Sequence, residues 1–240
     1  MSVRCQFIFW TTFPHQRVRA SKMRWYKLYA TGHFGYPQPE DTYAFQTYDS
    51  AYCDRCGSGG AQRNPFRLRS EPKARHSQFL QLNWVFDEFF VRPEVVTGLK
   101  EAGTTGVVFV PALHNRTGRV LETIQQLVVL SVLPAALDVV GLRPVTCKPD
   151  NEEGSPWYGG GQPRYPPDYP YCGRIKYHWP KTLRFRPQSF ALATDIVKSF
   201  EWFGSGGSAS RAILVSERVV GTIEKHRWRG VKWDLVEFAD

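Results

Sequence analysis

Apolar residues follow two spacings along this chain. In RWYKLYAT (24–31) and TYAFQTY (42–48), aromatic and β-branched residues partly alternate with polar ones, a pattern that predicts strands. CQFIFWTT, near the N-terminus, reads the same way. In two other places the spacing is helical. Val95, Val96 and Leu99 lie at i, i+1 and i+4, and Val219, Val220 and Ile223 repeat that stripe. ETIQQLVVLSVLPAAL (122–137) suits a helix by composition and a buried strand by its apolar run; we read Leu127–Leu133 as strand, ended by Pro134. RFRPQSFALATDIVKSFEWFG (184–204) is expected to be extended with a turn, and FGSGGSASR (203–211) to be a hairpin-like connector.

The two helical stripes belong to longer matching segments. FFVRPEVVTGLKEAGTTGVVFV (89–110) aligns without a gap on ILVSERVVGTIEKHRWRGVKWD (213–234) at a constant shift of 124 positions. Val91, Val95, Val96, Gly106 and Val107 fall on identical residues, while Leu99 meets Ile223 and Phe109 meets Trp233. Each copy reads as strand–helix–strand. Pro93 and Glu94 suit a first helical turn, Ser216 suits an N-cap with Glu217 behind it, and Gly106 and Gly230 precede the second strand. An internal repeat is the expectation.

A cysteine motif precedes the first copy. Cys53 and Cys56, in CDRCG, have the spacing of a tight turn that aims two thiolates at one metal, with Gly57 free to take the backbone angle that the turn needs. Before the second copy stands YPYCG (169–173), which reads as the same motif with Tyr169 where a first cysteine would be. Cys53, Cys56 and Cys172 then need a fourth ligand. Cys147, in VTCKPD, is the first candidate and His178 the reserve. The implied site is a structural zinc in a zinc-ribbon-like arrangement. The alternative is a metal-free set of buried cysteines, since a free thiol packs well as a small hydrophobe. GSGG after Cys56 argues against the helix that a thioredoxin-like redox motif requires.

MRWYKLYA, CDRCG, QLNWVFDEFFV, the second CG and the closing SERVVGTIEKHRWRGVKWDLVEF (216–238) together resemble the double-CxxCG-motif proteins of bacteria, some of which are immunity proteins of polymorphic toxin systems. The terminal segment is also similar to the closing strand–helix–strand of a related immunity family. The resemblance runs from about Met23 to the end. It implies a cytoplasmic protein that binds and neutralises a cognate toxin, with no catalytic residue to carry over. It also implies that Met23 is a start and residues 1–22 an upstream extension.

Composition narrows the choice of function. Five cysteines in 240 residues are too few for a disulfide scaffold, and the longest apolar run is too short to span a bilayer. The formal net charge of +9 would suit nucleic acid if it were clustered, but the basic residues are scattered. A zinc-ribbon protein that binds nucleic acid is therefore the second reading. No HExxH, HxxxH or phosphate-loop spacing occurs, so an enzyme is not expected. Asp87 and Glu88 sit between aromatics, where burial would raise a carboxyl pKa; the plainer reading puts them at a strand edge. In GSPWYGGGQPRYPPDYPY (154–171) the glycines and prolines exclude regular structure. Trp157, Tyr158, Arg164 and Tyr165 are the candidate partner-binding residues there, unless the loop folds back over the cysteine turn. The expected architecture is α+β: two related lobes of mainly antiparallel sheet with one principal helix each, spanning 23–145 and 146–240 and packed as one body.

Overall fold

The computed structural model describes residues 24–73, 76–150, 152–153, 155, 165–166 and 168–239. The strand expected in CQFIFWTT lies outside them. In chain order come β1 (Trp25–Ala30), α1 (Tyr43–Thr47), β2 (Arg67–Leu68), β3 (Phe79–Leu82), β4 (Val85–Val91), α2 (Pro93–Glu101), β5 (Val107–His114) and β6 (Val120–Val129). Then follow β7 (Pro144–Thr146), β8 (Ile175–Tyr177), β9 (Arg184–Phe185), β10 (Ile196–Phe203), β11 (Ser210–Ser216), α3 (Glu217–His226), β12 (Val231–Leu235) and β13 (Glu237–Phe238). The fold is α+β, mostly sheet.

One sheet has the order β12-β1-β11-β10-β8-β7, the other β2-β5-β6-β4-β3, and β13 pairs with β9. The two strand–helix–strand segments fall at matching residues, and their neighbours match as well. Phe79 opposes Val91 across β3 and β4, as Ile196 opposes Val215 across β10 and β11. Phe89 opposes Leu127 across β4 and β6, as Ile213 opposes Leu28 across β11 and β1. Val107 opposes Val129, as Val231 opposes Ala30. Beyond the strands, Phe34 N donates to Gln81 O (3.0 Å) and Leu133 N donates to Lys198 O (2.9 Å) at corresponding places. Thus β5-β6-β4-β3 and β12-β1-β11-β10 share one order and one register, with β1 standing in the sheet of the later strands where β6 stands in the other. The boundary expected between residues 145 and 146 lies within β7.

Local chemistry explains the repeated unit. Arg92 and Ser216 are both extended at the helix N-caps, acidic Glu94 and Glu217 occupy the first turns, and Lys100 or Lys225 the last. Ser216 gives no side-chain cap; its hydroxyl donates to Asp195 Oδ1 instead (3.0 Å). Gly106 and Gly230 have φ of 89° and 94°. A Cβ on Gly106 would collide with Thr194 and the Ile196 carbonyl, and one on Gly230 with the Phe79 carbonyl. Only glycine fits either turn.

The strands alternate between cores. Phe89, Val91, Ile213 and Val215 face a central core shared with Val95, Leu99, Val219 and Ile223 of the helices. Phe90 faces a second core with Phe66 and Leu80, and Leu214 a third with Trp25 and Phe185. Three sequence expectations need correction. TYAFQTY contains α1 rather than a strand, because Tyr43 and Tyr48 pack on the core around Phe66 from a short helix. The strand placed at Leu127–Leu133 runs Val120–Val129, and the chain then leaves β6 to bridge Val132 to Lys198. Glu88 does not sit exposed at a strand edge: it is buried, only 5% exposed. FGSGGSASR does close a hairpin, with Phe203 opposite Ser210.

Candidate metal centre

Cys53, Cys56, Cys147 and Cys172 converge, with all four sulfurs within 4.8 Å of one another. Cys53 Sγ lies 3.8 Å from Cys147 Sγ, and Cys56 Sγ lies 3.7 Å from Cys172 Sγ. All four are free thiols; Cys56 and Cys147 are buried, Cys53 and Cys172 partly so. An ion bound tetrahedrally at about 2.3 Å from each sulfur sets sulfur–sulfur edges at about 3.8 Å. Two edges already have that length, and closing the widest requires movement of about 1 Å. The four thiols can therefore hold a metal ion, and with all four positions of a tetrahedron taken the site would be closed. His178 is not one of the group; its amide donates to Arg143 O in the sheet (3.1 Å).

Two turns of the same design deliver these sulfurs. In the first, Cys53 N donates to Ser58 O (2.9 Å) and Gly57 N to Cys53 O (2.7 Å). In the second, Cys147 N donates to Arg174 O (2.9 Å) and Gly173 N to Cys147 O (3.0 Å). Gly57 and Gly173 have φ of 75° and 68°, so each supplies the left-handed residue that closes its turn. The Cys172 amide reaches Cys147 Sγ (3.5 Å), as the Cys56 amide reaches Cys53. Cys147 thus stands where Cys53 stands. Tyr169 does not take the first-cysteine place in the second turn: Cys147 does, set apart from Cys172 by a long insertion. Tyr169 is part of the insertion, and its hydroxyl donates to Asp54 Oδ2.

Two cations missed in the sequence hold the centre together. Arg55, inside the CDRC turn, is 1% exposed. It pairs with Asp150 (2.6 Å) and donates to the carbonyls of Lys148 (3.3 Å), Tyr169 (2.9 Å) and Pro170 (3.3 Å). The first turn is thereby tied to both ends of the insertion in the second. Lys176, on β8, is buried and donates to Cys56 O (2.9 Å), Gly206 O (2.6 Å) and Ser208 O (2.7 Å), joining the first turn to the β10–β11 hairpin. Burial lowers its pKa to about 8, against the opposing pull of the nearby sulfurs. Nothing in composition or periodicity separates Arg55 or Lys176 from the other basic residues of the chain. The only signal for either was its place inside or beside a CxxCG turn.

The thiols interact strongly. Hydrogen bonds from Cys147 and Cys53 hold the Cys56 thiol well below its ordinary range, while bonding to Cys53 and Cys56 pushes Cys147 far above its own. One thiolate forms readily and its neighbours then resist a second charge, so full deprotonation calls for a cation at the centre.

Of the four residues expected to meet a partner, Tyr165 is described, and it folds back on the cysteine turns. Its ring stacks on Tyr169 (centroids 4.5 Å) and covers the Arg55 guanidinium (4.8 Å), and its hydroxyl donates to Asp54 O (3.2 Å). Trp157, Tyr158 and Arg164 lie outside the described residues. Among the described residues, no helix is long and apolar enough to cross a membrane.

A scan against protein-family models finds no match to the chain, and a search of curated proteins finds none either.

Proposed function

We propose that this is a zinc-stapled binding protein that neutralises a cognate bacterial toxin by one-to-one association in the cytoplasm. The observation that carries the reading is the pair of cysteine turns with one backbone pattern, whose four sulfurs meet within 4.8 Å of one another. Two complete CxxCG turns, the second opened by an insertion, strengthen the resemblance to the double-CxxCG immunity proteins. Zinc suits four thiolates because it has no geometric preference beyond the tetrahedron and no redox chemistry. A closed four-sulfur site has no position for a reacting water, so its work is to hold the two turns together.

The matched strand registers support a further element of this reading, tandem duplication. Each ancestral unit would run strand, cysteine turn, hairpin, helix, strand, and the two first strands, β1 and β6, have changed places between the sheets. The metal joins the cysteine turns of the two units.

Purified protein is expected to carry one zinc per chain, and cobalt substitution to give the intense thiolate absorption of a tetrahedral site. Cys172→Ser should abolish both. Expression of each neighbouring gene with and without this one tests the antidote role: growth arrest relieved only by this protein is the expected result. A protein that relieves none, but binds nucleic acid with steep salt dependence, would replace this reading with the nucleic-acid one.

A further inference from the structure

A cleft of about 1020 Å³ opens between the two sheets beside the first cysteine turn. We propose that it is the partner-binding site, and that it receives a lysine or arginine side chain carried on an extended segment of a protein partner. The proposal deepens the toxin-binding reading and rests on it for the identity of the partner, but not for the chemistry of the cleft.

Charge is the first argument. The chain is basic overall, at +9, yet its cleft is lined by five carboxylates and three cations. Each of those cations contacts the protein, although Arg211 Nε is buried without a hydrogen-bond partner among the described residues. Lys198 pairs with Glu88 (2.5 Å) and Asp87 (3.2 Å), Arg174 donates to Ala51 O (3.0 Å), and Arg211 lies over the Trp202 ring (4.6 Å). Asp87 is bonded through Oδ2 alone among the described residues, to Lys198 and to Arg211 N (3.4 Å), which leaves Oδ1 for a ligand. The phenols record the same field. Burial and then the charge of Asp87 raise Tyr43 to about 12, and Tyr48 is raised in the same way. Phosphate would be repelled here, and an organic cation attracted.

The walls supply the second argument. Tyr43, Tyr48, Trp84 and Trp202 line the cleft, and aromatic rings bind ammonium and guanidinium groups by cation–π attraction, as Trp202 already does with Arg211. Trp84 is 49% exposed and packs against Tyr36, itself 41% exposed (centroids 4.6 Å). Large aromatics at a rim are typical anchors of protein interfaces. The volume exceeds what one side chain fills, so a stretch of peptide main chain can enter with it.

The test uses full-length, zinc-loaded protein and three capped tripeptides, Gly-Lys-Gly, Gly-Arg-Gly and Gly-Glu-Gly, with ethylammonium as a free cation. Binding is read by tryptophan fluorescence and by NMR shifts. Both basic peptides should bind and the acidic one should not, with Asp87→Asn and Trp84→Ala each weakening affinity by about tenfold. Trp84 is exposed, so that variant keeps its fold, and its melting temperature checks this. Equal binding of acidic and basic peptides, no binding, or indifference to both variants would overturn the proposal. Competition by ethylammonium as effective as by the peptides would overturn the peptide source. A neighbouring toxin neutralised equally well by both variants would remove the cleft and leave the immunity reading intact. Peptide binding with no toxin neutralised would do the reverse.

Discussion

Asp195 sits where the start of β10, the turn before β5 and the start of α3 meet. It accepts hydrogen bonds from Thr105 N (2.9 Å), Thr105 Oγ1 (2.5 Å), Ser216 Oγ (3.0 Å) and Arg218 Nε (3.1 Å). Burial alone would raise its pKa, but these donors outweigh burial and hold it below the ordinary carboxylate value. A carboxyl with a lowered folded-state pKa stabilises the fold above its unfolded value, and that contribution is lost as pH falls through the folded one. Asp195→Asn should therefore cost about 2 kcal/mol in urea unfolding at pH 7. The difference between variant and parent should shrink below about pH 4. A gap that persists unchanged to pH 2 would mean that geometry rather than charge is at stake. Glu88 shows the opposite balance, and its partner Lys198 the same one as Asp195. Burial raises Glu88 despite its lysine partner, while burial opposes the charge of Lys198 but two carboxylates together raise it. One ammonium serving two acids leaves this part of the molecule acidic.

At the scale of elements, α2 and α3 make the same demand on one core. Leu99 is fully buried and Ile223 is 1% exposed, and both belong to the central cluster. Leu99→Ala and Ile223→Ala should each cost about 2–5 kcal/mol, measured by denaturant titration. The double variant should depart from the sum, because the two cavities share neighbours. A small loss at one position and a large one at the other would show that the helices are not equivalent in packing. These helices were legible in the sequence because their stripes, acidic first turns and the glycines just before the following strands are all local signals. α1 was not: its aromatics at 43–48 have strand-like composition, and only contact with Phe66 selects the helix. The burial of Glu88 was hidden for a similar reason, since its partners Gln126 and Lys198 lie far along the chain (3.0 and 2.5 Å). The cysteine site was legible in its membership but not in its pattern. Cys147 could be named as a ligand, yet the insertion before Cys172 disguised a second turn equal to the first.

The order of strands in the two sheets governs the molecule as a whole, and no local pattern encodes it, because alternation marks a strand without naming its neighbour. β1 lies between β11 and β12, and β6 between β4 and β5. A cut in the β5–β6 turn, at Thr117–Gly118, would leave β1 on one fragment and its partners on the other. Each fragment alone would lack a central strand and expose paired edges on both sides of the gap. The four cysteines straddle the same division, with Cys53 and Cys56 on the first fragment and Cys147 and Cys172 on the second. Fragments 1–117 and 118–240 should therefore be unfolded separately by circular dichroism and should combine on mixing into a one-to-one complex with one zinc. Chelation should loosen that complex more than it loosens the intact chain, because in the intact chain the covalent link already keeps the two parts at high effective concentration. If either fragment folds by itself as a monomer, its sheet has been completed without the other fragment's strand, and the interlocked arrangement is not what holds this protein together.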